Sequence, residues 1–338
     1  MGFPIFVSLG QSHHPVKREL EKEIAGKLHQ HPDFQVTMVA NLYDLKPDGP
    51  AIEAINAVEG EMIVFSWNYQ RAAHWILDRH GIHGTVGEVE LQPDSEDDDD
   101  ELEDELEEDE NEVISRVLDG RPLPDRQIYC LNLKSSTSAA DFIEEVERIA
   151  ACSLEQWIQG DPGEEQLARF RQPTNDTAAG PGSLPPAVEE ENARRWYPVI
   201  DFSRCTNCME CIDFCLFGVY GVDRAETILV EQPDNCRKGC PACSRVCPEN
   251  AIVFPQHKTP AIAGAAVNVG GLKIDLSLLF GKPEAADVAA RERDQQLILA
   301  GRTPVDSDDQ PLEKRQAGKT VGPADELDVL LDELETLE

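Results

Sequence analysis

The chain is short of positive charge, short of aromatic side chains and without a long apolar run. Lys and Arg number 30 against 65 Asp and Glu, a formal net charge of −35. Gripping nucleic acid regardless of sequence needs surplus cations to displace counterions from phosphates, so that class is excluded. The same deficit argues against docking on an anionic membrane surface. No apolar stretch reaches the roughly 18 residues that a membrane helix requires. The opening residues Met1-Gly2-Phe3-Pro4 bring no basic region and no small-residue cleavage site, so no secretory signal is expected and the cytoplasm is the expected location. Nucleotide signatures are missing as well. The residues after the first apolar run are Leu9-Gly10-Gln11-Ser12-His13, not GxGxxG, and Gly281-Lys282-Pro283 is only a fragment of a P-loop. Without GxSxG either, dinucleotide binding, P-loop hydrolysis and serine-hydrolase chemistry fall away.

The negative charge is concentrated. Asp94–Glu112 holds 15 carboxylates in 19 residues with no Lys or Arg, and Pro323–Glu338 holds seven more. Like charges in a block repel and bury no apolar area, so 94–118 reads as a disordered insertion and the C-terminal tail as disordered too. Leu327, Leu330, Leu331, Leu334 and Leu337 put a helical spacing on that acidic tail.

Outside these blocks, strand and helix signals alternate. Pro4–Leu9, Phe34–Ala40, Met62–Trp67, Thr85–Leu91 and Gln127–Leu133 read as strands. Between them, Pro15 suits a first helical position, and Val16, Leu20, Ile24 and Leu28 fall on one helix face. Further helices are expected over Ala51–Val58, Tyr69–Arg79 and Ala139–Ala151. This alternation predicts an α/β, doubly wound domain of five parallel strands over residues 1–93 and 119–160, interrupted by the insertion. Residues 161–193, rich in Pro, Gly, Asn and Thr, read as a linker. Residues 194–257 form a small second domain, and 258–338 a Gly/Ala-rich extension with one helix over Pro283–Ala300, closed by Gly301, before the acidic tail.

Eight of the ten cysteines lie in the second domain. They form two runs, Cys205-x2-Cys208-x2-Cys211-x3-Cys215 and Cys236-x3-Cys240-x2-Cys243-x3-Cys247-Pro248. In a chain with no secretory signal such density points to metal or redox chemistry rather than disulfides. Zinc ribbons separate two CxxC knuckles by about 15–20 residues, a spacing these compact runs do not have. An iron–sulfur cubane needs four convergent thiolates, and three closely spaced cysteines on one loop supply three corners. Each run is also framed alike: Val199-Ile200-Asp201 and Leu229-Val230-Glu231 precede, Gly218-Val219-Tyr220 and Ala251-Ile252-Val253 follow.

This stretch resembles the bacterial dicluster ferredoxins, small α+β domains with two [4Fe–4S] clusters. The resemblance implies that the last cysteine of each run crosses to the other cluster. One cluster would then take Cys205, Cys208, Cys211 and Cys247, and the other Cys236, Cys240, Cys243 and Cys215. Two departures stand out. Leu216 follows Cys215 where the family usually has Pro, and the second run opens with three intervening residues, Arg237, Lys238 and Gly239. Glycine at 239 can absorb the extra length. The resemblance implies one-electron transfer at about −400 mV or below, and the acidic surface implies a redox protein partner with a basic docking face. Phe202, Phe214, Phe217 and Tyr220 are expected to pack around the clusters. Cys130 and Cys152, without companions at ligand spacing, read as inert thiols.

For the first domain, the carboxyl ends of the strands are where ligands of such sheets bind. His13, His14, Ser66, Asn68 and Arg71 form a candidate pocket there, with Lys134, Ser135 and Ser136 after the last strand. The opening strand, its Gly10-Gln11-Ser12-His13-His14 loop and the charged helix look similar to sirohydrochlorin-type chelatases, which implies a loop histidine placed over a tetrapyrrole. Two functions follow as expectations: an electron carrier whose first domain docks a partner, or a ferredoxin-fused enzyme whose α/β domain binds a small molecule.

Overall fold

The computed structural model describes residues 2–92, 115–159, 183–265 and 285–302. The acidic blocks 94–112 and 323–338 and most of the expected linker lie outside the described residues. Residues 1–289 form one compact unit and 290–338 another.

Apolar, β-rich segments build a five-stranded sheet from β1 (Phe3–Ser8), β2 (Phe34–Val39), β3 (Met62–Ser66), β4 (Thr85–Val86) and β5 (Gln127–Asn132). All neighbours are parallel, in the order β2-β1-β3-β5-β4. Strands buried on both faces need continuous apolar sequence, and β3, Met-Ile-Val-Phe-Ser, is buried throughout. The sequence expects a seven-residue fourth strand, but pairing stops at Val86. Gly87 N still donates to Ile128 O at 3.0 Å, and a Cβ there would lie 2.3 Å from the Tyr129 ring, so only glycine lets the chain pass so close to that ring.

Helices cover both faces. α1 (Pro15–His29) and α4 (Ala139–Gln159) lie on one side, where Leu20, Ile24 and Leu28 pack with Phe65, Leu131, Phe142 and Val146. Val16, expected on the same buried face, is 66% exposed. It belongs to the first turn of the helix, ahead of the buried Leu20, Ile24 and Leu28. On the other side, α2 (Pro50–Asn56) and α3 (Gln70–Arg79) bury Ile52, Ile55 and Ile76 against Val64 and Cys130. Each such side chain contributes about 1.5–3 kcal/mol by leaving water. α3 stops at Gly81, whose φ of +81° lets Ile82 N donate to Leu77 O at 3.1 Å.

The cysteine-rich lobe has two short antiparallel pairs, β6 (Val199–Ile200) with β9 (Ile252–Val253), and β7 (Tyr220–Val222) with β8 (Ile228–Val230). Two one-turn helices, α5 (Glu210–Phe214) and α6 (Ala242–Val246), sit between them. Tyr197, Val199 and Val253 lie in the same apolar core as Trp75 and Ile76, so the lobes share one interior. Tyr43 and Tyr197 stack at 4.3 Å, and each hydroxyl donates to the other's backbone carbonyl. Residues 183–193 run beside β2, where Met38 N donates to Pro186 O and Val188 N to Met38 O, both at 2.9 Å. The expected disordered insertion, 94–118, ends too late: residues 115–118 are described and tied to the cysteine lobe, where Val117 N donates to Cys205 O at 2.8 Å and Leu118 N to Phe202 O at 3.0 Å.

In the second unit, the described helix ends as its sequence predicts, with Gly301 N donating to Ile298 O and Arg302 N to Leu297 O, both at 2.9 Å.

Candidate metal centre

The two cysteine runs fold alike. In each, the third cysteine lies in a one-turn helix and the fourth caps its end: Cys215 N donates to Cys211 O at 3.1 Å, and Cys247 N to Cys243 O at 3.2 Å. Each fourth cysteine leaves its helix in extended backbone, Cys215 at ψ 111° and Cys247 at ψ 115°. The cysteines fall into a three-plus-one grouping. Cys205, Cys208 and Cys211 line one cavity together with Cys247 from the second run, beside Ile200, Ile228, Ala251 and Ile252. Cys236, Cys240 and Cys243 stand with Cys215 from the first run, close enough for the charge of one thiolate to raise the pKa of another. Gly239, in the longer loop of the second run, sits at φ +87° with open space at its Cβ position.

Backbone geometry supplies partners for sulfur. Asn207, Met209 and Asn250 have φ of +60°, +65° and +49°, in the left-handed region. Successive turns of that kind rotate N–H groups toward a shared concavity. Asn207 N–H bonds Cys205, and Ala251 N donates to Cys247 Sγ at 3.2 Å, joined there by Glu249 and Ile252 N–H. The Asn207 side chain fixes its own loop, donating to Glu226 O and accepting from Ile228 N, both at 2.9 Å. Tyr220 lies between the two groups. Its hydroxyl donates to Cys243 Sγ at 3.1 Å, and burial first, then Cys243, Cys211 and Cys215, push the phenol far above its ordinary range.

Burial raises the thiols of Cys205, Cys211, Cys236, Cys243 and Cys247, with neighbouring cysteines adding to it; Cys211 is pushed up to about 12. On binding a multivalent cationic core such thiols would release their protons to water, with sulfur–metal bonds replacing the lost solvation. Among the described residues, no three His, Cys, Asp or Glu side chains converge tightly enough for a single metal ion. A wider cavity ringed by four soft sulfur donors, with apolar walls and N–H groups on the sulfurs, fits an iron–sulfur core. The expected packing aromatics are there: Phe202, Phe217 and Tyr220 border the core around the first group, and Phe214 and Phe217 pack near Cys240. The groups differ in exposure, because Cys208 reaches solvent whereas Cys240 and Cys243 are buried.

Of the pocket residues expected in the first domain, Ser66 and Asn68 are buried at the carboxyl edge, and His13 and His14 are exposed. Arg71 turns away from that edge. Its Nε donates to Asp201 Oδ2 at 2.5 Å, and its Nη2 to Asn250 O. Asp201, only 1% exposed, also accepts from Ser203 N and Oγ. The sequence reading missed a second tie, in which Arg116 donates to Arg204 O at 2.6 Å and to Glu249 Oε2 at 2.7 Å. Nothing local in a lone arginine signals a partner more than a hundred residues away. Cys130 is buried with its thiol pushed up to about 12 by desolvation, as an inert thiol should be, and Cys152 is exposed.

Over 66 residues the chain is 48% identical to an uncharacterized ferredoxin of Methanocaldococcus jannaschii, a match covering 19% of this chain and 44% of that relative. The chain thus spans less than half the length of the relative. The similarity supports a ferredoxin-type domain and an iron–sulfur electron carrier. No family profile matches the chain, and no solved structure matches it. No helix among the described residues is long and apolar enough to cross a membrane.

Proposed function

We propose that the chain transfers single electrons through two [4Fe–4S] clusters, one on Cys205, Cys208, Cys211 and Cys247, the other on Cys236, Cys240, Cys243 and Cys215. The observation that carries this reading is the three-plus-one grouping, in which each set of three cysteines stands with the fourth cysteine of the other run. When bound, a cubane of this kind supplies a one-electron store near or below about −400 mV. The protein's own work is to hold eight thiolates, to aim N–H groups at them and to keep water out with Ile200, Ile252 and Phe254. Exposure of Cys208 makes the first group the side at which a partner approaches within tunnelling distance. The net charge of −35 favours a redox protein partner with a basic docking face, with association weakened by salt.

The test is iron, zinc and acid-labile sulfide per chain on anaerobically prepared protein, with electron paramagnetic resonance after dithionite reduction. About eight iron and eight sulfide with two interacting signals are expected. Stoichiometric zinc without sulfide, persisting after reconstitution, would overturn the proposal.

A further inference from the structure

In a chain with more than twice as many acids as bases, two lysines lie near enough for one to feel the other's charge, and among the described residues neither forms an ion pair with a carboxylate. Lys17 Nζ stands 4.5 Å over the Trp67 ring, and Lys134 Nζ 4.8 Å over the Tyr69 ring. Burial first, and the charge of Lys17 second, pull the Lys134 ammonium below the ordinary lysine range. No acid offsets either effect. Both lysines sit at the carboxyl edge of the sheet, Lys17 in the first turn of α1 and Lys134 just after β5.

Unsatisfied donors occupy the same edge. Asn68 and Asn132 are 3% and 4% exposed, and the Nδ2 of each is buried without a partner. Ser135 Oγ is likewise buried and unpartnered. Leaving two buried amide N–H2 groups unpaired costs free energy unless a ligand accepts from them. The register brings them close: β3 pairs with β5 so that Ser66 lies beside Asn132, with Asn68 two residues further on. Parallel β-α order also starts α1, α3 and α4 at this edge, so the positive ends of three helices meet there. The carboxylates that reach it are already engaged. Glu21 accepts from Gly10 N, Trp67 Nε1 and Arg18, Asp44 from Gln11 and Arg195 N, and Asp141 from Ser136 Oγ.

We infer that this edge binds a small, doubly charged oxyanion, a phosphate ester or a dicarboxylate, between the two lysines, with the Asn68 and Asn132 amides and Ser135 as hydrogen-bond donors. The site stands apart from the cysteine groups and does not rest on the iron–sulfur reading. It gives the α/β lobe a ligand of its own.

Isothermal titration of the full-length chain with inorganic phosphate, and separately with malonate, at fixed ionic strength tests it. Saturable binding of at least one anion is expected, and which one saturates distinguishes phosphate ester from dicarboxylate. Lys17→Gln and Lys134→Gln should each weaken it by about tenfold, the loss of one charge-assisted hydrogen bond. Lys27→Gln, whose ammonium pairs with Glu23 at 2.7 Å further along α1, should leave it unchanged. All three lysines reach solvent, so the fold should survive each change. Non-saturating heats for both anions, or binding untouched by both Lys17→Gln and Lys134→Gln, would overturn the inference.

Discussion

Replacing Arg71 by Met should cost about 3 kcal/mol and should loosen the cysteine group that contains Cys247. Removing one partner of a buried ion pair costs about 3–5 kcal/mol, because the other charge is left without solvent. Here Asp201 is buried and Arg71 half-buried, with side chains 2% and 13% exposed. The low end applies because Asp201 keeps Ser203 N at 3.0 Å and Ser203 Oγ at 2.5 Å, with Arg204 Nε more distant at 3.7 Å. Arg71 also donates to Asn250 O, and Asn250 holds its left-handed φ between Glu249 and Ala251, whose N–H groups bond Cys247. Urea unfolding of the reconstituted chain, followed by far-ultraviolet circular dichroism and visible absorbance, reads both effects. In thermal melts the loss corresponds to about 6–12 °C for a unit of this size. A double-mutant cycle with Asp201→Asn should return a coupling of about 2 kcal/mol, and Arg71→Lys should rescue only part, since an ammonium lacks the guanidinium fork. Additive costs, or Arg71→Met within about 0.5 kcal/mol of the parent chain, would refute the reasoning.

Other sites give sharper single readouts. Cys247→Ala and Cys215→Ala should each cut iron to about four per chain, and the paramagnetic signal lost in one should be the signal kept in the other; identical residual spectra would break the crossed assignment. Tyr220→Phe removes the donor to Cys243 Sγ. Hydrogen bonds to sulfur stabilise the more negative reduced state, so one midpoint in a potentiometric titration should fall by roughly 20–60 mV, a neutral hydrogen bond's worth for one electron. His80 has both ring nitrogens buried without partners, and burial first, then Arg79 and Arg195, lower it to about 4. The unfolded chain therefore binds the proton more tightly between pH 6.5 and 4. Stability is intact above the unfolded value and falls as pH drops through that window, by about 2 kcal/mol after allowing for partial exposure. His80→Gln should flatten the slope of urea midpoint against pH, and an unchanged slope would rule that histidine out as the source.

What the sequence could show was periodic or close-spaced. Four of the five strands and all three helices expected before the insertion follow from apolar runs and four-residue spacing, and Gly239 announced its own backbone requirement. The crossed cysteine grouping came from resemblance; nothing in the spacing alone decides which fourth sulfur joins which run. The short fourth strand was misjudged because Thr85–Leu91 alternates like a strand, while its partner strand β5 lies some forty residues away and pairs only with Thr85 and Val86. Residues 115–120 carry no apolar period, yet they lie on the cysteine lobe because Val117 and Leu118 find backbone acceptors there. Arg71 illustrates the general reason. A charged residue after a strand has the credentials of a binding residue, and only the position of Asp201 shows where its charge is spent.

That reassignment changes how the α/β lobe relates to electron transfer. A detachable docking domain would meet the cysteine lobe through a polar, replaceable surface. Here the two share a core through Tyr197, Val199 and Val253, and lock by reciprocal Tyr43–Tyr197 hydrogen bonds. The ties from Arg71 and Val117 end on the loops that carry Cys205 and Cys247. The oxyanion edge lies at the head of α3, and Arg71 occupies the first turn of that same helix. Any ligand that draws the head of α3 toward the sheet edge therefore acts on the helix that also holds Asp201 and Asn250. Coupling between the two sites would need no path longer than that one turn of helix.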